Sequence, residues 1–384
     1  MVRLLKRALA ACAAATWLAV LAPIVLACSV PVFRYALERW PPDAYHVLII
    51  HEKPLSAEHQ ALLAWLEKSV EAGGDFPSVV AQAVDRSDPE QAARLKKVLP
   101  DLPEPESLPW MVVLYPRTAR IPIPAWTGPF EGKALKALVG SPARREIAKR
   151  LAAGETSVWL LLESGDKKKD DAAAALLKTE LAKMEKALQL PELTDDPADR
   201  LAVGEEDLPL KIAFSTLRVS RKTEAERLFI QMLLHTEEDL AELKDPMAFA
   251  FFGRGRALWA LVGPGINDEN IQEACLFLCG PCACQIKAMC PGTDMLMIVD
   301  WDSILMGETT SVPELAELPA FALAAPATST AASPLPGTAL PGTAIGAAEG
   351  SVPPTLVRNV AIAVGAGIVL LGAVALVMVR GKRG

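Results

Sequence analysis

The chain has 384 residues, enough for two or more folded units, with 51% hydrophobic residues and a formal net charge of -7. That balance argues against a nucleic-acid partner, which is held through excess Lys and Arg. The apolar content is not all core, because both ends of the chain have membrane character.

Val2–Arg7 (VRLLKR) is a basic n-region and Ala8–Ala27 an apolar h-region, so residues 1–27 read as a signal peptide or a retained N-terminal anchor. The sequence Val25-Leu26-Ala27-Cys28 resembles the lipobox of bacterial lipoproteins, which implies lipidation of Cys28; simple cleavage and a retained anchor are the alternatives. Each of these puts the body outside the cytoplasm. Residues 28–44 form an extension too rich in large apolar groups for a plain linker, expected to pack on the first domain. Its opening, CSVPVFRYALERW, resembles the start of an uncharacterised family of membrane-anchored bacterial envelope proteins, a likeness that implies no activity.

Residues 45–153 read as the first unit. Tyr45–Ile50 is a strand, and Ser56 caps a helix with its apolar stripe at Leu62, Leu63, Leu66 and Val70. Val79–Val84 is the next strand. Asp88, Pro89 and Gln91 then occupy the N-cap, first-turn and capping-box places of a second helix. Pro109 precedes the doubly apolar strand Met111–Tyr115. Ile121–Trp126 is expected as its hairpin partner, on a free edge because Pro122 and Pro124 lack N–H groups. Helices at Gly132–Val139 and Pro142–Leu151 close the unit.

Residues 156–305 repeat that order. Val158–Leu162 is a strand, Lys167–Asp171 a solvated charged loop, and Ala172–Leu190 a helix. A polar insertion follows at residues 191–209, then a strand at Leu210–Val219 and a helix opened by a capping box of Thr223 and Glu226. Met247–Phe252 is apolar on both alternating faces, as a strand buried on both sides should be. Gly253 and Gly255 turn the chain into a second apolar run, Ala257–Val262. Asn267 caps a helix whose core face is Ile271, Ala274, Cys275 and Leu278. Met295–Trp301 reads as one more strand.

Residues 310–354 are an Ala/Pro/Ser/Thr-rich stalk. Residues 356–379 have the length and composition of a transmembrane helix, and the basic residues 380–384 form a tail expected in the cytoplasm. The expected location is the cell membrane, with the body extracytoplasmic.

The fold class is α/β, with two tandem β-α-β-α-β-β-α units built on mixed central sheets. The proline before a central strand, the hairpin after it and the closing amphipathic helix resemble the thioredoxin fold. That resemblance implies a cis proline facing an active site, with Pro109 and Pro246 as candidates. Active members of that family carry Cys-x-x-Cys after the first strand, at a helix N-terminus. Here the corresponding loops are His51–Ser56 (HEKPLS) and Glu163–Asp170 (ESGDKKKD), and neither holds a cysteine.

Five cysteines cluster instead near the end of the second unit, Cys275, Cys279, Cys282, Cys284 and Cys290. Disulfides are the default in an oxidising compartment. A zinc or copper(I) thiolate site and a working dithiol at Cys282 and Cys284 are alternatives, and an iron–sulfur site is a remoter one. An odd number leaves at least one thiol free, ligating, or paired elsewhere. His46, His51, His59 and His235 show no metal-ligand spacing among themselves. No Ser-His-Asp set, phosphate-binding glycine loop or haem motif is evident. The residues point away from an enzyme, toward a cofactor-free binding or accessory module for other envelope proteins at the membrane; thiol–disulfide or soft-metal handling by the cysteine cluster remains the alternative.

Overall fold

A short strand, β1 (Cys28–Pro31), runs directly into helix α1 (Val32–Arg39). The computed structural model describes residues 28–70, 78–102, 104–282 and 287–307. The expected leader, stalk, membrane span and basic tail lie outside them, as does Cys284. Among the described residues, no helix is long and apolar enough to cross a membrane.

The first sheet follows from β2 (Tyr45–His51), α2 (Ala57–Val70), β3 (Val79–Asp85), α3 (Pro89–Val98), β4 (Trp110–Leu114) and β5 (Trp126–Pro129). Its order is β3-β2-β4-β5, with β2 parallel to β3 and the other pairs antiparallel. The pleat sorts β2 as its sequence requires: Val47 and Ile49 enter the main core, while Ile50 packs with Val84, Leu99 and Val112 on the opposite face. Asp88 caps α3 by accepting from Glu90 N at 2.8 Å and Gln91 N at 3.3 Å. Helices α4 (Gly132–Val139) and α5 (Pro142–Ala152) follow.

The second sheet is built from β6 (Ser157–Glu163), α6 (Lys167–Ala187), β7 (Phe214–Ser220), α7 (Arg227–Leu234), β8 (Met247–Phe252), β9 (Arg256–Ala257), β10 (Leu261–Val262) and α8 (Asp268–Cys279). Two short strands, β11 (Pro281–Cys282) and β12 (Thr293–Asp294), and a final helix, α9 (Trp301–Leu305), complete the described chain. The order is β12-β9-β8-β6-β7, with β10 also on β8; β6 is parallel to β7 and antiparallel to β8. The molecule is thus mixed α/β with mixed sheets.

The two sheets share one core. Val47, Ile49, Met111 and Val113 of the first meet Val158, Leu160, Phe249 and Phe251 of the second through Leu135, Ile147, Phe229 and Met232 of the intervening helices. Polar ties reinforce the join. The Tyr45 hydroxyl donates to the Asp294 carbonyl at 2.8 Å, and the Asp294 carboxylate accepts from Arg256 Nη1 at 2.7 Å. Buried Arg144 donates to Leu296 O at 2.8 Å and to Leu138 O at 3.0 Å. Burial lowers its guanidinium to a pKa of about 10.

Several elements differ from the sequence reading. The N-terminal extension seats on the second sheet, not the first: Val30, Val32, Phe33, Tyr35, Ala36 and Trp40 are buried with Trp159, Ala248, Phe252, Leu177 and Cys275. Each fully buried large apolar side chain is worth about 1.5–3 kcal/mol, so the extension is a structural layer. Its charges are buried too. Arg34 Nε donates to Glu38 at 2.6 Å, and Glu38 also accepts from Ala202 N at 2.8 Å. Ile121–Ala125 is not a strand, since prolines cannot donate to a ladder; the edge begins at Trp126. Lys167–Asp171 is the first turn of α6, because Asp166 caps it and Asp170 turns back to accept from Ser164 N at 2.7 Å. Thr223 and Glu226 form no capping box, because Glu226 is spent on Ala143 N at the start of α5, 2.8 Å away. Met295–Val299 is mostly buried but lies outside any ladder, and Trp301 starts a helix.

Candidate functional site

β2 ends at His51, the parallel β3 ends beside it at Asp85, and the antiparallel β4 starts from the same side after Pro109. Three loops therefore meet at one end of the first sheet. Between them lies a groove of about 580 Å³, lined by His51–Ser56, His59, Arg86 and Glu104–Pro109. Leu108–Pro109 is the cis peptide bond among the described residues, and it forms part of the groove wall.

The N-terminus of α2 opens into this groove. Ser56 Oγ accepts from His59 N at 3.2 Å and lies 2.9 Å from His59 Nδ1, while the His59 ring stacks on Phe130 with centroids 5.9 Å apart. Ser56 and His59 thus hold each other in a cap, with the imidazole fixed against an aromatic floor. Arg86 N donates to His51 O at 2.7 Å, which fixes the start of the next loop. The Arg86 guanidinium spans to both oxygens of Glu104, which raises its pKa above the ordinary guanidinium value. His51 Nδ1 is enclosed and meets no hydrogen-bond partner among the described residues. Half-buried Leu55, Leu108 and Pro109 supply apolar wall between the charges of Glu52, Lys53 and Glu106. No cysteine is among the described residues that line the groove. A mixed apolar and polar trough of this size suits a short extended chain.

The matching end of the second sheet is tied up by its own side chains. Arg221, one residue past β7 as Arg86 is one past β3, donates to Leu243 O at 2.9 Å and Asp245 O at 3.0 Å. Lys169 Nζ pairs with Asp245 at 2.8 Å, and Asp170 receives both Ser164 N and Gly165 N. Pro246 leads into β8, and its carbonyl accepts from Gly263 N at 2.9 Å. The Asp245–Pro246 peptide is trans, unlike the cis geometry implied by the resemblance: its loop is held by Arg221 and Lys169 rather than left as a groove wall.

The cysteines gather behind the second sheet. Cys275 and Cys279 lie one turn apart on α8, Cys282 is in β11, and Cys290 follows the next loop; all four are buried. Burial pushes the Cys275 thiol far up and the Cys279 thiol up to about 12, the reverse of what a nucleophile needs. Among the described residues no group of three or more His, Cys, Asp or Glu is arranged to hold a metal ion. Cys28 joins this layer. Its strand β1 pairs antiparallel with β11, and Cys28 sits directly opposite Cys282. Burial raises the Cys28 thiol, whose Sγ donates to Ala198 O at 3.1 Å.

The sequence reading located the His51–Ser56 loop but missed Arg86, Glu104 and His59 as its partners. The repeated Arg immediately after each second strand is the one signal that pointed there. A comparison with protein-family models finds no match to this chain, and a comparison with curated proteins finds none either.

Proposed function

We propose that the chain is a membrane-tethered, extracytoplasmic protein of two thioredoxin-like units, and that the first unit binds extended segments of other envelope proteins without exchanging thiols. The observation that carries this reading is the groove beside cis Pro109, kept open where a catalytic Cys-x-x-Cys would stand and lined by His51, Ser56 and Arg86 instead. The strand orders β3-β2-β4-β5 and β7-β6-β8-β9 support it, each with a parallel first pair and antiparallel additions. The helices support it too. In each unit the first and last helices join one core cluster: Leu62 with Leu135, and Leu177 with Leu278. The middle helix packs on the other side, through Leu95 or Phe229.

The test is site-specific photocrosslinking of the full chain in its membrane. A benzophenone at Lys53, in the groove, should capture a discrete protein partner, whereas the same group at Lys178, on α6, should not. Equal capture from both positions, or none from Lys53, removes the reading.

A further inference from the structure

Five clustered cysteines are an odd set, and the fold brings up a sixth. Cys28 is far from them in sequence, yet β1 lies antiparallel on β11 with Cys28 and Cys282 as direct partners. The pairing is anchored on the Pro31 side of the pair, across a register shift between Cys28 and Pro31. Val32 N donates to Gly280 O at 3.0 Å, Pro31 faces Pro281, and Ser29 N is bound by Asp199. Directly opposed residues of an antiparallel pair project from the same face, with Cα atoms about 4.5–5.5 Å apart. A disulfide spans about 4.4–6.8 Å between Cα atoms. Both residues are almost fully enclosed, at 1% and 0% exposure, in the same apolar cluster. Cys28 Sγ donates to Ala198 O at 3.1 Å in the structure, so its side chain has to turn from that carbonyl to join Cys282.

We propose that Cys28 and Cys282 form a disulfide in the mature protein, clamping the N-terminal segment onto the second sheet. The reaction is ordinary exchange. One protein thiol loses its proton and attacks an external disulfide of the glutathione class, giving a mixed disulfide and one released thiolate. The second protein thiolate then displaces the other half. Two protein thiols are oxidised by two electrons, one external disulfide is reduced to two thiols, and the released thiolates take up the two protons. The bond forms before β1 is fully seated, because the seated Sγ is closed to solvent.

This assignment competes with lipid for one atom. A Cys28 sulfur carrying a thioether-linked lipid has no valence left for Cys282, and it would have to leave the enclosed position it holds beside Ala198. The assignment is independent of what occupies the groove at Pro109, so either reading can fail without the other.

The full chain, recovered from membranes of cells that export it and lysed in N-ethylmaleimide without reductant, is denatured, digested and mapped by mass spectrometry. The expected result is a Cys28 peptide joined to a Cys282 peptide, lighter than their sum by two hydrogens and separated by reduction. In Cys28→Ser, Cys282 should gain a maleimide label that it lacks in the wild type. Recovery of Cys28 as a labelled thiol or as a lipidated peptide overturns the proposal, as does Cys282 joined to Cys284 or Cys290. The wild-type map decides the matter even if the variant fails to fold.

Discussion

Arg86 grips Glu104 with both terminal guanidinium nitrogens, at 2.9 and 3.1 Å, and so bridges two of the loops that wall the groove. Glu104 is well exposed, and such surface pairs contribute about 0–1 kcal/mol to stability. Arg86→Ala should therefore leave the urea midpoint nearly unchanged while lowering photocrosslink yield from Lys53 severalfold. A large stability loss with unchanged crosslinking would assign the pair to the fold rather than to the groove.

Glu38 sits at the opposite extreme. Its carboxylate is fully enclosed, paired with Arg34 and bound by Ala202 N. Removing one member of a buried pair strands the other charge and costs about 3–5 kcal/mol. Glu38→Ala should lower the unfolding free energy by that amount, bring the denaturation midpoint down with it, and expose residues 28–40 to protease. A midpoint within error of wild type would show that this segment does not support the body.

The same segment has a pH signature. Asp199 is held down to about 2, from an ordinary value of 3.8, first by the Thr194 hydroxyl and next by Ser29 N. A depressed carboxyl stabilises the fold fully above its unfolded pKa and loses that contribution as pH falls through the folded value. Docking of β1 should weaken between pH 3.8 and about 2. Asp199→Asn should flatten that part of the stability curve, as read by urea titrations at stepped pH.

Gly253 has φ of +57°, and a Cβ placed there would lie 2.7 Å from Ala36 Cβ. The turn after β8 is therefore shaped to receive helix α1. Gly253→Ala combines left-handed strain with overlap and should cost about 1–3 kcal/mol. Gly165→Ala, also left-handed but with open space around it, should cost less. The difference between the two melts isolates the contact with Ala36.

Cys279, with a thiol near 12, is ionised in only about one molecule in ten thousand at pH 8. It should resist an aromatic disulfide reagent in the native protein and react at once in guanidinium. Rapid native labelling would show that this thiol is open to solvent in the folded protein.

The parts of the fold legible in the sequence are those where local pattern and tertiary need agree. Met247–Phe252 sends Phe249 and Phe251 to one core and Ala248, Ala250 and Phe252 to the other, as its doubly apolar alternation requires. Asn267 caps α8 by accepting from Asn270 N at 2.9 Å, and the helix buries the stripe its spacing marks. Legibility ended where a residue serves a distant element. Glu226 fits a capping box by spacing but belongs to Ala143, and Met295–Val299 looks like a strand because it is buried. Its polar ties are instead irregular: Met295 N donates to Gly255 O, and the carbonyls of Leu296 and Met297 accept from Arg144 and Ser78. In the groove, the Ser56 cap was local and readable, whereas the reach of Arg86 to Glu104 crosses loops that no periodicity connects.

The seating of β1 against β11 also sets an order of events during synthesis. Residues 28–40 are made early, but the surface that receives them, which runs from Trp159 and Leu177 to α8 and β11, is complete only near the end of the described chain. Until then Phe33, Tyr35 and Trp40 have only part of their apolar cover, so the newborn chain carries a sticky early segment that closes last. A ribosome stalled before Cys282 would leave that segment only partly housed, and chaperone capture there should end only when β11 is released.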